Sequence, residues 1–203
     1  MQKKVIVGLT GQSGAGKSTA ARMFRDNRFH IIDADKVARE ITSSIKTAEK
    51  LAALFGDSIL YDDDTLNRKA LANIVFSDND KLQAMNDLLF PIIIKEIKHQ
   101  IEWAPNTYVI LDAPQLFESK LNEICDVVVS VVAPKDVLIQ RICNRDKISQ
   151  ELAEKRLASQ LDELFFIDHS TYVIHSDGDY NHLRTRVDAI ARDIKKEVDV
   201  FEF

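Results

Sequence analysis

Val5-Ile-Val-Gly-Leu-Thr-Gly-Gln-Ser-Gly-Ala-Gly-Lys-Ser-Thr19 holds four of the six glycines in this 203-residue chain. Within it, Gly11-x4-Gly16-Lys17-Ser18 matches the phosphate-binding P-loop pattern. Each part has a chemical reason. Residues without Cβ let the backbone wrap an anion with its N–H groups turned inward, and the helix expected to begin near Lys17 points its positive end at that anion. Lys17 is placed to reach the β- and γ-phosphates of a nucleotide, and the Ser18 hydroxyl to ligate Mg2+. The flanks agree. Val5–Leu9 reads as a buried strand, and Ala20, Ala21, Met23 and Phe24 give the following helix an apolar face.

Downstream, Phe29–Asp33 reads as a second short strand ending in Asp33-Ala-Asp35. From about Lys36 to Trp103 the pattern is helical, with no convincing strand. Lys46–Phe55 carries Leu51, Leu54 and Phe55 on one face and stops at Gly56; Asn67 is a candidate N-cap for Asn67–Phe76. Pro91 is expected in the first turn of a helix with Ile93, Ile97 and Ile101 at spacing four, and Trp103 is expected to pack at its end. Tyr108–Asp112 and Asp126–Val132 are the near-continuous apolar runs of parallel strands covered on both faces. Pro134–Asn144 and Ser149–Leu161 read as consecutive helices, and Tyr172–Ile174 as a last strand. A final helix from about Asp179 carries Leu183, Val187, Ile190 and Ile194 on one face, with Val198–Phe203 as a frayed tail. This order predicts an α/β fold, a parallel sheet flanked by helices with a helical insertion. The core is expected over about 1–35, 105–139 and 165–203, and the insertion over about 36–104.

Composition narrows the function. The chain is 45% hydrophobic and 29% charged, as expected of one globular unit. A net charge of -5 and a pI of about 5.6 argue against a general nucleic-acid binder. No apolar run approaches the ~20 residues that cross a bilayer, and Val5–Leu9 is too short for a secretory h-region. Cys125 and Cys143 cannot form a disulfide framework and suit a reducing cytosol. His30, His99, His169, His175 and His182 lack metal-ligand spacing. A cytoplasmic protein with small-molecule partners, monomeric or weakly self-associating, is expected.

In an open parallel sheet, ligands sit beyond the carboxyl ends of the strands. Asp33, Asp35 and Asp112 fall there. Phosphoryl transfer needs one carboxylate near the acceptor hydroxyl and another that orders Mg2+; Asp33 suits the first role and Asp112 the second. Asp35 is equally a helix N-cap candidate. Gln140-Arg141-x3-Arg145 and Arg156-x3-Gln160 place guanidinium groups on a helix pair over about 140–164. Such a pair could serve as a lid that neutralises migrating charge and excludes water. On these residues alone a small-molecule kinase and a nucleotide-holding switch both remain open. The helical insertion and the arginine-bearing lid favour the kinase.

Several segments together resemble the dephospho-coenzyme A kinase family. They are Gly8-Leu-Thr-Gly-x4-Gly-Lys-Ser-Thr19, Ile32-Asp-Ala-Asp35, Phe55-Gly56 and Leu66-Asn-Arg68-x2-Leu71-x4-Phe76. Leu111-Asp-x-Pro-x-Leu-Phe-Glu118, Gln140-Arg141, Arg145-Asp146 and Arg156-x3-Gln160 follow in family order. The resemblance implies a P-loop NTPase, nucleotide-kinase-like fold with a helical acceptor-binding insertion and a helical lid. It also implies transfer of a phosphoryl group from ATP, with Mg2+, to the ribose 3′-hydroxyl of dephospho-coenzyme A, the last step of coenzyme A synthesis. It implies ATP contacts from Thr10, Gly11, Gln12, Ser13, Gly14, Ala15, Gly16, Lys17, Ser18, Thr19, Arg141, Arg145 and Ser176. Asp33, Lys17 and Arg141 would be catalytic, and Ser18 and Asp112 would hold the metal. Asp33, Arg68, Pro114, Phe117 and Glu118 would face the acceptor, with the insertion binding it. Departures fall at Phe90-Pro91 for the family's His-Pro, Gln115 for a Leu, and Ser176 for an Asn; the P-loop and Asp33 are untouched.

Overall fold

β1 (Val5–Gly11) pairs in parallel with β3 (Tyr108–Asp112) on one side and with β4 (Val127–Val132) on the other. β5 (Tyr172–His175) continues the sheet from β4, also in parallel. With β2 (His30–Asp33) at the far edge, the order is β2-β3-β1-β4-β5. The computed structural model describes residues 3–199, with side chains described to residue 196. The chain divides into two compact units, Asp33–Glu102 and the remainder.

In the sheet unit, Val7, Leu9, Ile110, Val129 and Val131 are wholly excluded from solvent, which explains their continuous apolar runs. Each such side chain contributes about 1.5–3 kcal/mol by leaving water. α1 (Lys17–Asp26) buries Ala20, Ala21, Met23 and Phe24 and packs with α9 (Tyr180–Asp199). Leu183, Val187, Ala191 and Ile194 form the inward stripe of α9, with Ile190 half-buried beside it. Helix thus extends through Val198 and Asp199, and the rest of the expected tail, 200–203, lies outside the described residues.

α6 (Lys135–Asp146) and α7 (Gln150–Ala158) pack together after β4. The helix expected over Ser149–Leu161 ends early. Asp162 then caps a further short helix, α8 (Glu163–Asp168), by accepting the Phe165 N–H at 2.8 Å. Six residues are too few to show a periodicity.

The helical unit runs α2 (Ala34–Ser43), α3 (Ile45–Phe55), α4 (Arg68–Val75) and α5 (Asn79–Glu102). Its core gathers Leu51, Ala52, Ile59, Leu71, Val75 and Leu89. Local chemistry sets the boundaries. Ser44 caps α3 through the Thr47 N–H, Gly56 ends it at φ 87°, and Asn67 caps α4 through the Ala70 N–H.

Three expectations need correction. Pro91 lies inside α5, whose first residue is Asn79. Proline removes one helical N–H, but Pro91 and Asp87, whose carbonyl loses that bond, are both exposed, so water can satisfy the carbonyl. The stripe Ile93, Ile97, Ile101 extends one step upstream to buried Leu89, so the helix crosses the proline to keep that face covered. Trp103 follows the last residue of α5 and is 71% exposed, so it is not core packing. Finally, the cap after β2 is Asp33, which accepts the Lys36 N–H at 2.9 Å, while Asp35 sits in the first turn of α2.

Candidate active site

The loop between β1 and α1 leaves the carboxyl end of the central strand with Gly11 at φ 143°. A Cβ at Gly11 would collide with the Val131 carbonyl oxygen of β4, so the residue must be glycine for strand pairing as well as for the turn. Gly16, at φ 96°, is left-handed and opens α1. The first helical bonds run from the Thr19 and Ala20 N–H groups to the Gly16 carbonyl, at 2.9 and 3.0 Å. Lys17 and Ser18 therefore present unclaimed helix-start amides.

The hydrogen bonds of the loop divide its amides into engaged and open ones. The Ser13 N–H donates to Gln160 Oε1 at 2.9 Å, and the Ala15 N–H to the Gln12 carbonyl at 3.1 Å. Among the described residues, the N–H groups of Gly14, Gly16, Lys17 and Ser18 have no protein acceptor. These four are among the loop's backbone donors for an anion. Thr10 is wholly buried and its hydroxyl donates to the Pro114 carbonyl at 3.0 Å; its side chain ties β1 to the turn after β3. Gln12 Oε1 is a buried acceptor with no partner, an arrangement that costs about 1–3 kcal/mol unless a ligand or water supplies a donor.

The Lys17 ammonium pairs with Asp112 at the end of β3; the two side chains are only 15% and 14% exposed. A lysine at the start of α1 and a carboxylate on the neighbouring strand are thus brought together across 95 positions of the sequence. Ser18 is exposed and Thr19 half-buried at the start of α1.

Three further groups flank the loop. Arg141 donates to the Gly14 carbonyl at 3.3 Å and to Ser176 Oγ at 3.2 Å, and Ser176, just past β5, is buried. Arg145 donates to Ser13 Oγ at 3.2 Å. Asp146 accepts from both Arg145 and Arg156, clamping α6 to α7. The Arg145 hydrogen bond leads in holding the Asp146 carboxyl at about 2, with Arg156 adding to it. The same bond raises the Arg145 guanidinium above its ordinary value.

The expected acceptor-side residues divide between the units. In the sheet unit, Pro114, Phe117 and Glu118 lie in the turn after β3. Phe117 packs edge-on against Phe165 with centroids 5.2 Å apart, and Phe165 stacks on His169 at 4.0 Å. Glu118 is exposed. In the helical unit, Arg68 donates to the Arg39 carbonyl, Thr42 Oγ1 and Ser43 Oγ, a cation at the carboxyl end of α2. Asp33 is exposed with Oδ1 engaged as the α2 cap. Sequence reasoning placed Gln160 in a motif but gave it no role; its contact with the loop joins residues 147 positions apart, which no local pattern reveals.

A parallel sheet with β1 at its centre, a glycine-turned loop of free amides at a helix start, and a lysine set on a strand-end carboxylate define a P-loop nucleotide-binding protein of the kinase class. A profile of dephospho-CoA kinases matches residues 5–182. A dephospho-CoA kinase of Fusobacterium nucleatum is 34% identical over 190 residues, covering 94% of this chain and 98% of its own. Among solved structures, a Thermus thermophilus protein superposes with a TM-score of 0.81 at 27% identity, covering 94% of this chain and 98% of its own. A dephospho-CoA kinase from Campylobacter jejuni superposes with a TM-score of 0.64 at 25% identity, covering 94% and 97%. The chain belongs to the dephospho-CoA kinase family.

Proposed function

We propose that this chain moves the γ-phosphoryl group of ATP onto the ribose 3′-hydroxyl of dephospho-CoA, giving CoA and ADP. The observation that carries the reading is the loop of four open amides with Lys17 beside it, in a chain of this family. The Gly14, Gly16, Lys17 and Ser18 amides hold phosphate oxygens and cost no reorganisation during transfer. Lys17 exchanges Asp112 for the β- and γ-phosphates, and Arg141 and Arg145 offset negative charge on the nucleotide. Asp33 accepts a hydrogen bond from the attacking hydroxyl and orients it; in a loose transition state the proton leaves late.

The donor set fits Mg2+: one carboxylate, Asp112, and one hydroxyl, Ser18, suit a hard cation that takes its remaining oxygens from water and phosphates. When bound, the ion would offset the negative charge of the nucleotide's phosphates. In this reading residues 36–104 serve the acceptor, with Arg68, Pro114, Phe117 and Glu118 along its path, and residues 140–164 act as a lid. The reaction belongs in the cytoplasm, with the chain a monomer or weak homo-oligomer. No helix among the described residues is long and apolar enough to cross a membrane.

Incubation of the purified protein with Mg-ATP and dephospho-CoA tests the proposal. The expected product is heavier than the acceptor by one phosphoryl group. Phosphorylation of nucleosides but not of dephospho-CoA would reassign the acceptor.

A further inference from the structure

Gln160 has no part in the chemistry assigned above, yet it holds the phosphate loop from outside by the Ser13 backbone N–H. It stands between two helices. Its own N–H bonds the Leu157 carbonyl at 3.1 Å at the end of α7, and Asp162 fixes the start of α8 two residues on. Its side chain delivers Oε1 to the Ser13 N–H at 2.9 Å. The hydroxyl of the same serine accepts from Arg145, which Asp146 links to Arg156, four residues before Gln160. One connected polar network therefore grips Ser13 by both backbone and side chain.

The peptide plane explains what that grip controls. The Ser13 N–H and the Gln12 carbonyl belong to one rigid peptide unit and point in opposite directions. Fixing the N–H on Gln160 aims the Gln12 carbonyl, which takes the Ala15 N–H at 3.1 Å and closes the tight turn. That turn sets the direction of the Gly14 and Gly16 amides, two of the four left for the anion. We propose that Gln160 is a positioning residue of the ATP site: its carboxamide oxygen orients the Gln12–Ser13 peptide and so makes the affinity for ATP depend on the α7–α8 junction. The inference rests on the reading that this loop holds ATP.

Gln160→Ala and Gln160→Glu test it, with amide hydrogen exchange at Ser13 read in the nucleotide-free protein and KM read for both substrates. In Gln160→Ala, Ser13 exchange accelerates and KM for ATP rises about 2- to 10-fold, the range of one lost hydrogen bond. KM for dephospho-CoA stays as in the wild type. Gln160→Glu retains an acceptor oxygen and keeps Ser13 protected. Unchanged Ser13 exchange in Gln160→Ala overturns the role of Gln160, as does an equal rise in both KM values, the mark of a merely structural residue. Wild-type ATP binding is measured in parallel; its absence overturns the function proposed above, while the exchange result still decides the Gln160 contact.

Discussion

Asp33 has a structural task, capping α2 through the Lys36 N–H, and a proposed chemical one at the acceptor hydroxyl. Asparagine caps helices about as well as aspartate but carries no charge. Asp33→Asn should therefore leave the thermal midpoint and ATP binding near wild type. It should lower kcat by about 10²–10⁴, the usual scale for a positioned acid or base. Near-normal turnover, measured by ADP release, would remove Asp33 from the mechanism and leave it a cap. Gly11 shows the opposite balance, a residue beside the site whose first duty is to the fold. At φ 143°, with the Val131 carbonyl oxygen where a Cβ would go, Gly11→Ala should cost about 1–3 kcal/mol from backbone conformation alone, with the collision adding to it. A urea midpoint equal to wild type would contradict that geometry.

Beside the buried Leu138, Ile142, Ala153 and Leu157, the α6–α7 pair is clamped by one carboxylate. Asp146 is held at about 2 by Arg145 and Arg156, below the ordinary aspartate value of about 3.9. Its contribution to stability is fully present above pH ~4 and is lost as the pH falls through about 2. The clamp is thus indifferent to pH across the physiological range. A carboxyl resonance of Asp146 that titrates at or above pH 4 in the folded protein would refute this. Elements also show where sequence reading stops. α3 and α4 were legible because their caps, Gly56 and Asn67, are local chemistry. α5 was misread because proline is a strong local signal, whereas the reason to continue through it, the buried row from Leu89 to Ile101, is tertiary. α8 escaped for its brevity, and with it the Gln160 junction.

Across the whole chain, the P-loop and the acids at the ends of β2 and β3 were readable because glycine spacing and strand-terminal carboxylates are sequence properties. What was not readable is which loop amides remain open, since the acceptors that engage the others include Gln160, far along the chain. The sheet unit joins segments from β1 to β5 around that loop: Gly14 to Ser18 at one end, then Asp112, Arg141 and Ser176. A ligand that binds this folded arrangement and not the unfolded chain stabilises it by mass action, about 2.7 kcal/mol at one hundred times its Kd. At this chain length that corresponds to a rise in Tm of roughly 5–11 °C. Mg-ATP should produce such a rise, and Lys17→Ala should lose most of it, because the β- and γ-phosphates then lack their cation. AMP should shift Tm far less than ATP, since it carries neither phosphate. If AMP and ATP shift Tm equally, the β- and γ-phosphates add nothing to binding, and Lys17 and the amides proposed to hold them are not its seat.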